Sequence, residues 1–471
     1  MLCSPRWHHA VTPLNSIELK NRRIAILGAG REGLAAAQYL RALFPNMKLT
    51  LISESDPDTE TKRQLHELDD LLVRPFSGAR LEQYELLIRS PGISVYRPEL
   101  QRARADGVEI TTPSNLWFAA HADAKTICVT GTKGKSTTSA MVAHALRCCG
   151  FQVCLAGNIG RPLLSCHDTG VDWWVIELSS YQLADLQATP TVGVLLNLSA
   201  EHLDWHGSES AYRQDKLRLA KLCRRSALIL NAADPVLVEE LSEFETAQWF
   251  NSDAGIHVRD SRLMDGSRVL PVSLAASLPG QHNLSNAAGA LTAARLAGCD
   301  LDQAARSLST FQGLPHRLQL VGERSGIRFY NDSISSTPMA TKAALSAFTG
   351  QNITIIVGGL DRGLDWTPYM EAFRQSAPTA VIAIPDSGSR IVNTMQAAGI
   401  QPEKGLHLVA GLDDAVELAR RFTPPGGLVL LSPGAPSFPR FRDYRDRGRQ
   451  FARLCGFELD EWDVFQPGEA R

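Results

Sequence analysis

Thr130-Gly131-Thr132-Lys133-Gly134-Lys135-Ser136-Thr137 is the stretch on which the reading of this chain turns. An apolar strand read over Thr126–Thr130 runs into it. A helix read over Lys135–Cys149, apolar at helical spacing, runs out. Strand, glycine turn and helix N-terminus are what a phosphate-binding loop needs. Gly131 and Gly134 let the backbone curl so that its N–H groups converge on phosphate oxygens, and the helix end adds partial positive charge. Lys133 and Thr132 fill the turn, Lys135 would reach the β- and γ-phosphates, and the Ser136 or Thr137 hydroxyl would hold Mg²⁺. Val129 stands where the general pattern has its first glycine, so a chance Gly-Lys-Ser turn is the alternative.

Outward from this loop the chain alternates strands and helices. Upstream, strand Arg23–Leu27 leads into Gly28-Ala29-Gly30-Arg31-Glu32-Gly33, helix Leu34–Leu43 and strand Lys48–Ile52, a βαβ unit. Strand Leu86–Arg89 then ends at Ser90-Pro91-Gly92. Downstream, strands are expected at Val153–Ala156, Trp174–Leu178, Val192–Leu198 and Ala227–Asn231. A last segment opens near Gly313 and holds strands at Arg328–Asn331, Thr354–Val357, Ala380–Ile384, His407–Val409 and Leu428–Leu431. The expected fold class is α/β, each domain carrying a mostly parallel sheet flanked by helices. With 471 residues, about 150 per domain gives roughly three domains.

Composition narrows the function. Lys+Arg 48 against Asp+Glu 50 leaves a net charge of −2, which argues against nucleic-acid binding through bulk positive charge. No window approaches the ~20 uninterrupted apolar residues of a membrane span. Residues 1–17 carry no apolar signal core, so a disordered extension or a misassigned start is expected there, and the protein is expected in the cytoplasm. The nine cysteines include no CxxC pair and read as reduced, mostly buried thiols.

Two acidic or imidazole positions stand at strand ends. Glu177 closes a strand where the ligand crevice of a parallel sheet lies, so it is a candidate Mg²⁺ ligand, or else an exposed strand-end carboxylate. His202, in Glu201-His202-Leu203-Asp204, follows the next strand and reads as a ligand or a structural histidine. The Gly28–Gly33 run, with Glu54 about 20 residues on, looks like a dinucleotide fingerprint. Any nucleotide diphosphate can use the same turn, and an NAD enzyme would not explain the loop at 131–137.

Taken together these residues resemble the ATP-dependent Mur ligases of peptidoglycan synthesis, from Leu19 onward. The runs that carry the likeness are Gly131–Thr137, Gly157-Asn-Ile-Gly160, Glu177-Leu-Ser-Ser180, Glu201–Asp204, Tyr212-Arg-Gln-Asp-Lys216, His282-Asn-Leu-Ser-Asn286, Pro315-His-Arg317, Asn331-Asp-Ser333 and Ser432-Pro433. The resemblance implies a Rossmann-like UDP-sugar domain over 18–118, a central P-loop ATPase over 119–313 and a Rossmann-like domain over 314–471 that closes over the site. It implies ATP and Mg²⁺ as cofactors and, by likeness to the glutamate-adding members, UDP-N-acetylmuramoyl-L-alanine and glutamate as substrates. A monomer is expected.

By the same likeness Gly28, Gly30, Arg31, Ser90 and Asn158 would hold the UDP end, and Asn283, Asn286, Arg317 and Asp332 would surround the nucleotide. Lys135, His202 and Lys216 would be catalytic, and Ser136, Glu177, His202 and a carbamylated Lys216 would hold metal. The chain departs from the D-glutamate pattern in the C-terminal segment. Ile334-Ser335-Ser336 follows Asp332-Ser333 where a lysine is usual, Arg362 replaces another lysine, and Gly434-Ala435-Pro436-Ser437-Phe438 and Tyr444 also differ. An arginine fork in place of a point charge relocates a bound carboxylate. Ser336, Arg362, Ser437, Phe438 and Tyr444 are therefore the expected amino-acid pocket, rebuilt for L-glutamate. Drift in a D-glutamate enzyme is the alternative. An L-glutamate enzyme would be linked to a separate epimerase acting later on that residue.

Overall fold

The computed structural model describes residues 19–459, apart from 21, 58, 66–69, 168, 200 and 273–280. The expected extension over 1–17 and Cys3 lie outside the described residues. The described cysteines are all free thiols. Among the described residues no helix is long and apolar enough to cross a membrane.

The chain forms two compact units. The first comprises the described residues up to Pro271 together with Ser285–Ala305, and the second is built mainly from Arg306 onward. The first unit holds two parallel sheets. One joins β1 (Ile24–Leu27), β2 (Leu49–Ser53), β3 (Asp70–Val73), β4 (Leu86–Arg89) and β5 (Glu109–Thr111) in the order β3-β2-β1-β4-β5. The order reverses between β1 and β4, and a doubly wound sheet opens its ligand crevice at such a point. The helix after β1 begins at Arg31 rather than Leu34, so the glycine turn sits directly at its N-terminus.

The second sheet joins β6 (Thr126–Thr130), β7 (Val153–Gly157), β8 (Trp173–Glu177), β9 (Val192–Leu195), β10 (Leu228–Asn231) and β11 (Gln248–Phe250) in the order β11-β10-β9-β6-β8-β7. All its pairs are parallel. β9 stops at Leu195, short of the expected Leu198. Its continuation bonds instead to the phosphate loop, with Thr132 N–H donating to the Asn197 carbonyl at 2.9 Å. The two sheets share one apolar core running from Leu19 to Ala247. A small antiparallel sheet of β12 (Ile256–Arg259), β13 (Arg262–Asp265) and β14 (Arg268–Val269) was not expected. Its short, charged strands carry little apolar period.

In the second unit β15 (Gln319–Arg324), β16 (Ile327–Asn331), β17 (Ile353–Gly358), β18 (Ala380–Ile384), β19 (Leu406–Leu408) and β20 (Leu428–Leu431) order as β15-β16-β20-β17-β18-β19. Only the edge pair β15–β16 is antiparallel, joined by the turn at Ser325-Gly326. Separate apolar clusters cover the two faces. Buried sheets with both faces covered bear out the α/β reading.

Candidate active site

The phosphate loop leaves β6 and enters helix Lys135–Cys148. Gly134 has φ +83°, and a Cβ there would strike the Asn286 amide oxygen, so glycine is required on both counts. Thr132 Oγ1 lies 2.7 Å from the Tyr212 hydroxyl and accepts from Ser199 N–H at 2.9 Å. Lys133 N–H donates to Asn197 Oδ1 at 2.8 Å, and the Lys133 ammonium pairs with Glu201. Lys135 Nζ donates to the Gly131 and Thr132 carbonyls, each at 2.9 Å. Lys216 Nζ donates to the same Gly131 carbonyl at 2.9 Å. Two amines thus converge on one loop oxygen.

Lys216 is buried on helix Glu209–Leu222. Burial, and then the charge of Lys135, hold its pKa well below the usual lysine range. Glu177, at the end of β8, is buried too rather than exposed. Its Oε1 accepts from Asn158 Nδ2 at 2.6 Å, while Oε2 is buried with no hydrogen-bond partner among the described residues. An orphan carboxylate oxygen beside a phosphate loop fits a hard divalent cation. Ser136 stands in the first turn of the adjoining helix. Among the described residues no three His, Cys, Asp or Glu side chains form a metal-binding group. His202 adopts φ +56° with an exposed ring, and partial desolvation lowers its pKa.

A cavity of about 340 Å³ opens at the β1–β4 crevice, lined by Gly28, Gly30, Arg31, Ser90, Asn158 and Gln182 among others. Five residues expected at the UDP end therefore line one hollow. Glu32, on the same wall, is a feature the sequence reading passed over. Burial pushes its carboxyl up to about 7, opposed by Arg31. Glu54, the acid of the dinucleotide reading, is instead held by Arg97 at 2.6 and 2.9 Å.

A polar chain running inward from the exposed Tyr96 to buried Asp215, His206 and Ser180 also escaped the sequence reading. Tyr96 OH donates to Asp215 at 2.9 Å, Asp215 Oδ2 lies 2.7 Å from His206 Nδ1, and His206 Nε2 lies 3.0 Å from Ser180 Oγ. Asp215 and Ser180 fall inside quoted motif runs, but nothing local signals that they meet.

In the second unit Asp332, Arg362 and Ser437 follow the C-terminal ends of β16, β17 and β20, whereas Arg317 precedes β15 and Tyr444 opens helix Tyr444–Cys455. Asp332 is fully engaged: Oδ1 accepts from Leu318 N–H at 3.1 Å, and Oδ2 accepts from Ser432 at 2.8 Å and from Ser335. Burial raises its pKa to about 6. Here it clamps two strand ends rather than presenting a free oxygen. Arg317 keeps a buried Nε with no hydrogen-bond partner among the described residues, and Asn283 is buried on helix Gln281–Leu296. Arg447, also missed, is buried and ties Ser333 to the Ala435 carbonyl.

The expected amino-acid residues are only partly gathered. Arg362 lines a small pit, whereas Ser336, Ser437, Phe438 and Tyr444 do not, and Phe438 is 64% exposed. Ser437 is buried, and the Tyr444 ring packs edge-on against His316.

Three family models match the chain. Residues 22–112 match the Mur ligase MurD-like N-terminal domain, 129–294 the Mur ligase middle domain, and 316–434 the Mur ligase glutamate ligase domain. A UDP-N-acetylmuramoyl-L-alanine–L-glutamate ligase of Xanthomonas axonopodis pv. citri is 40% identical over 455 residues, covering 94% of this chain and 96% of that protein. Its namesake in Xylella fastidiosa strain 9a5c is 42% identical over 93% of this chain and 96% of its own. Among solved structures, the UDP-N-acetylmuramate–alanine ligase of Thermotoga maritima superposes with a TM-score of 0.59 at 20% identity, covering 93% of this chain and 99% of that one. MurF ligase of the same organism superposes at 0.58 with 15% identity, over 94% and 97%. At those identities the structures attest the fold alone.

Proposed function

The chain belongs to the Mur ligase family, and on that premise we propose that it joins L-glutamate to UDP-N-acetylmuramoyl-L-alanine, consuming one ATP per amide bond. The observation that carries this reading is the likeness, at about 40% identity over 94% of the chain, to ligases named for that reaction.

The chemistry follows from the bond to be made. A carboxylate is a poor electrophile, so the γ-phosphoryl of ATP passes to the terminal alanine carboxylate, releasing ADP and giving an acyl phosphate. The glutamate amine attacks it, and the tetrahedral intermediate collapses to amide and phosphate. Moving a phosphoryl group between anions calls for positive charge more than for a protein nucleophile. Lys135 would exchange its two carbonyl partners for phosphate oxygens, a stronger charge-assisted bond. The loop N–H groups from Thr132 to Thr137 would cradle the same phosphates.

Burial lowers the Lys216 pKa, a shift that favours the neutral amine which addition of carbon dioxide would require. The resulting carbamate would turn a loop-bonded amine into an oxygen donor. Mg²⁺, when bound, would neutralise charge on the transferring phosphates. Glu177 and Ser136 are the residues best suited to hold it, with His202 and carbamylated Lys216 completing the proposed set. Gly28, Gly30, Arg31, Ser90 and Asn158 would bind the UDP end in the β1–β4 cavity. The roles proposed for Asn283, Asn286, Arg317 and Asp332 around the nucleotide rest on motif likeness.

Substrate labelled with ¹⁸O in the alanine carboxylate tests the route. One labelled oxygen per turnover in the released phosphate is the expected result. Unlabelled phosphate would exclude an acyl phosphate.

A further inference from the structure

In the second unit a pit of about 10 Å³ lies at the C-terminal edge of the sheet, lined by Leu360, Arg362, Trp366, Ser387, Arg390 and Gly434 among others. Its floor carries an anomaly. Ser387 is 1% exposed, yet its hydroxyl has no hydrogen-bond partner among the described residues. It is the N-cap of helix Gly388–Ala397, where a serine normally turns its oxygen back onto the first-turn N–H groups. Here φ −70° and ψ −13° are helical values, and the side chain makes no cap bond. The backbone fixes this geometry, because Ser387 N–H donates to the Gly359 carbonyl at 2.8 Å. The hydroxyl is left for the pit, together with the partial positive charge of a ten-residue helix.

Charge around the pit is equally specific. Arg390 is spoken for: Nε donates to Asp361 Oδ2 at 2.9 Å, a second bond pairs it with Oδ1, and Nη1 donates to the Leu364 carbonyl at 2.6 Å. That pairing drives the Asp361 carboxyl down to about 2 and braces the loop carrying Arg362. Arg362 itself makes no hydrogen bond among the described residues and is exposed beside the pit. The unspent cation, the unpaired hydroxyl and the helix N-terminus all favour an anion. The volume admits about one oxygen atom.

We propose that Ser387, with Arg362 and the N-terminus of helix Gly388–Ala397, forms a carboxylate-binding subsite that holds one oxygen of the incoming amino acid. The inference rests on the glutamate-ligase reading and adds Ser387 to its specificity-determining residues. A guanidinium fork fixes the carboxylate plane, and the buried hydroxyl fixes its depth. An amino acid with an apolar group at that place would leave the hydroxyl unpaired, which is how polar sites reject analogues.

The test uses the full chain with Ser387→Ala, a change that removes one buried atom. KM for glutamate is expected to rise roughly tenfold, equivalent to 1.4 kcal/mol, while KM for ATP and for the UDP-sugar substrate stay put. Arg362→Met should act in the same direction. L-norvaline as a competitive inhibitor separates the two carboxylates of glutamate. If the side-chain carboxylate occupies the pit, Ser387→Ala leaves the norvaline Ki unchanged; if the α-carboxylate does, both constants rise together. Glutamate turnover with KM unaltered by Ser387→Ala overturns this inference alone and assigns the pit to a water. A wild-type enzyme that turns over neither enantiomer of glutamate overturns it together with the reading beneath it.

Discussion

Replacing Asp185 by alanine should destabilise the first unit by about 3 kcal/mol and damage the UDP cavity at the same time. Arg89, at the end of β4, is fully buried, and Asp185 beside it is 15% exposed. The guanidinium donates to Asp185 Oδ1 at 2.7 Å and to Oδ2 at 3.3 Å. Its other donors reach the carbonyls of Ile93 at 2.5 Å, Pro91 at 3.3 Å and Tyr181 at 3.2 Å. One residue of the first sheet thus pins the cavity wall to the second sheet's segment. Removing one partner of a buried pair costs about 3–5 kcal/mol, because the remaining charge loses its counter-ion but not its burial. The low end applies because water reaches Asp185. Urea unfolding followed by the fluorescence of Trp205, which lies 5.7 Å from the Arg89 guanidinium carbon, reads the loss. The double variant Arg89→Met/Asp185→Leu should recover most of it, since no charge is then stranded. KM for the UDP-sugar substrate should rise in Asp185→Ala. A loss below about 1 kcal/mol, or a double variant no better than the single, would refute the reasoning.

Three further outcomes follow from the same structure. The Glu32 carboxyl titrates near 4.5 when unfolded and at about 7 when folded, so the folded state holds the extra proton between those values and stability falls as pH rises through them. Relative to Glu32→Gln, the wild type should lose up to about 3 kcal/mol between pH 4.5 and 8; parallel urea curves at both pH values would contradict this. Lys216 has its folded pKa lowered, so the unfolded chain binds more protons below about 10.4, and wild-type stability relative to Lys216→Met should rise with pH up to that value. The same variant should lose ATP-dependent phosphate release, and a pH-independent stability difference would refute the desolvation argument. Gly157, at φ +96°, has no room for a Cβ against the Glu177 carbonyl. Gly157→Ala should therefore cost about 1–3 kcal/mol and raise the Mg²⁺ concentration needed for half-maximal activity; an unchanged Mg²⁺ titration would show that Glu177 stays in place.

Much of the site was legible because its signals are local. Gly131–Thr137 and Gly28–Gly33 each run from a strand end into the first turn of a helix, and strand, turn and helix start lie within a dozen residues. The C-terminal ends of β8, β17 and β20 could be placed by the same alternation. Side-chain pairing was not legible. Tyr96 and Asp215 stand 119 residues apart, and Arg89 and Asp185 stand 96 apart. Only the packing of two sheets into one core brings them together. β12 to β14 escaped because two- to four-residue strands with exposed arginines carry no period-2 signal. Ser387 carried no signal either, because its interest lies in a hydrogen bond it does not make.

Phosphate release from ATP, with UDP-N-acetylmuramoyl-L-alanine and either L- or D-glutamate supplied in parallel, bears most directly on the proposed reaction. The account expects release with L-glutamate and product heavier by one glutamyl residue. Release with D-glutamate alone would contradict the stereochemical reading of Arg362 and its neighbours, and release with neither would contradict the substrate assignment itself.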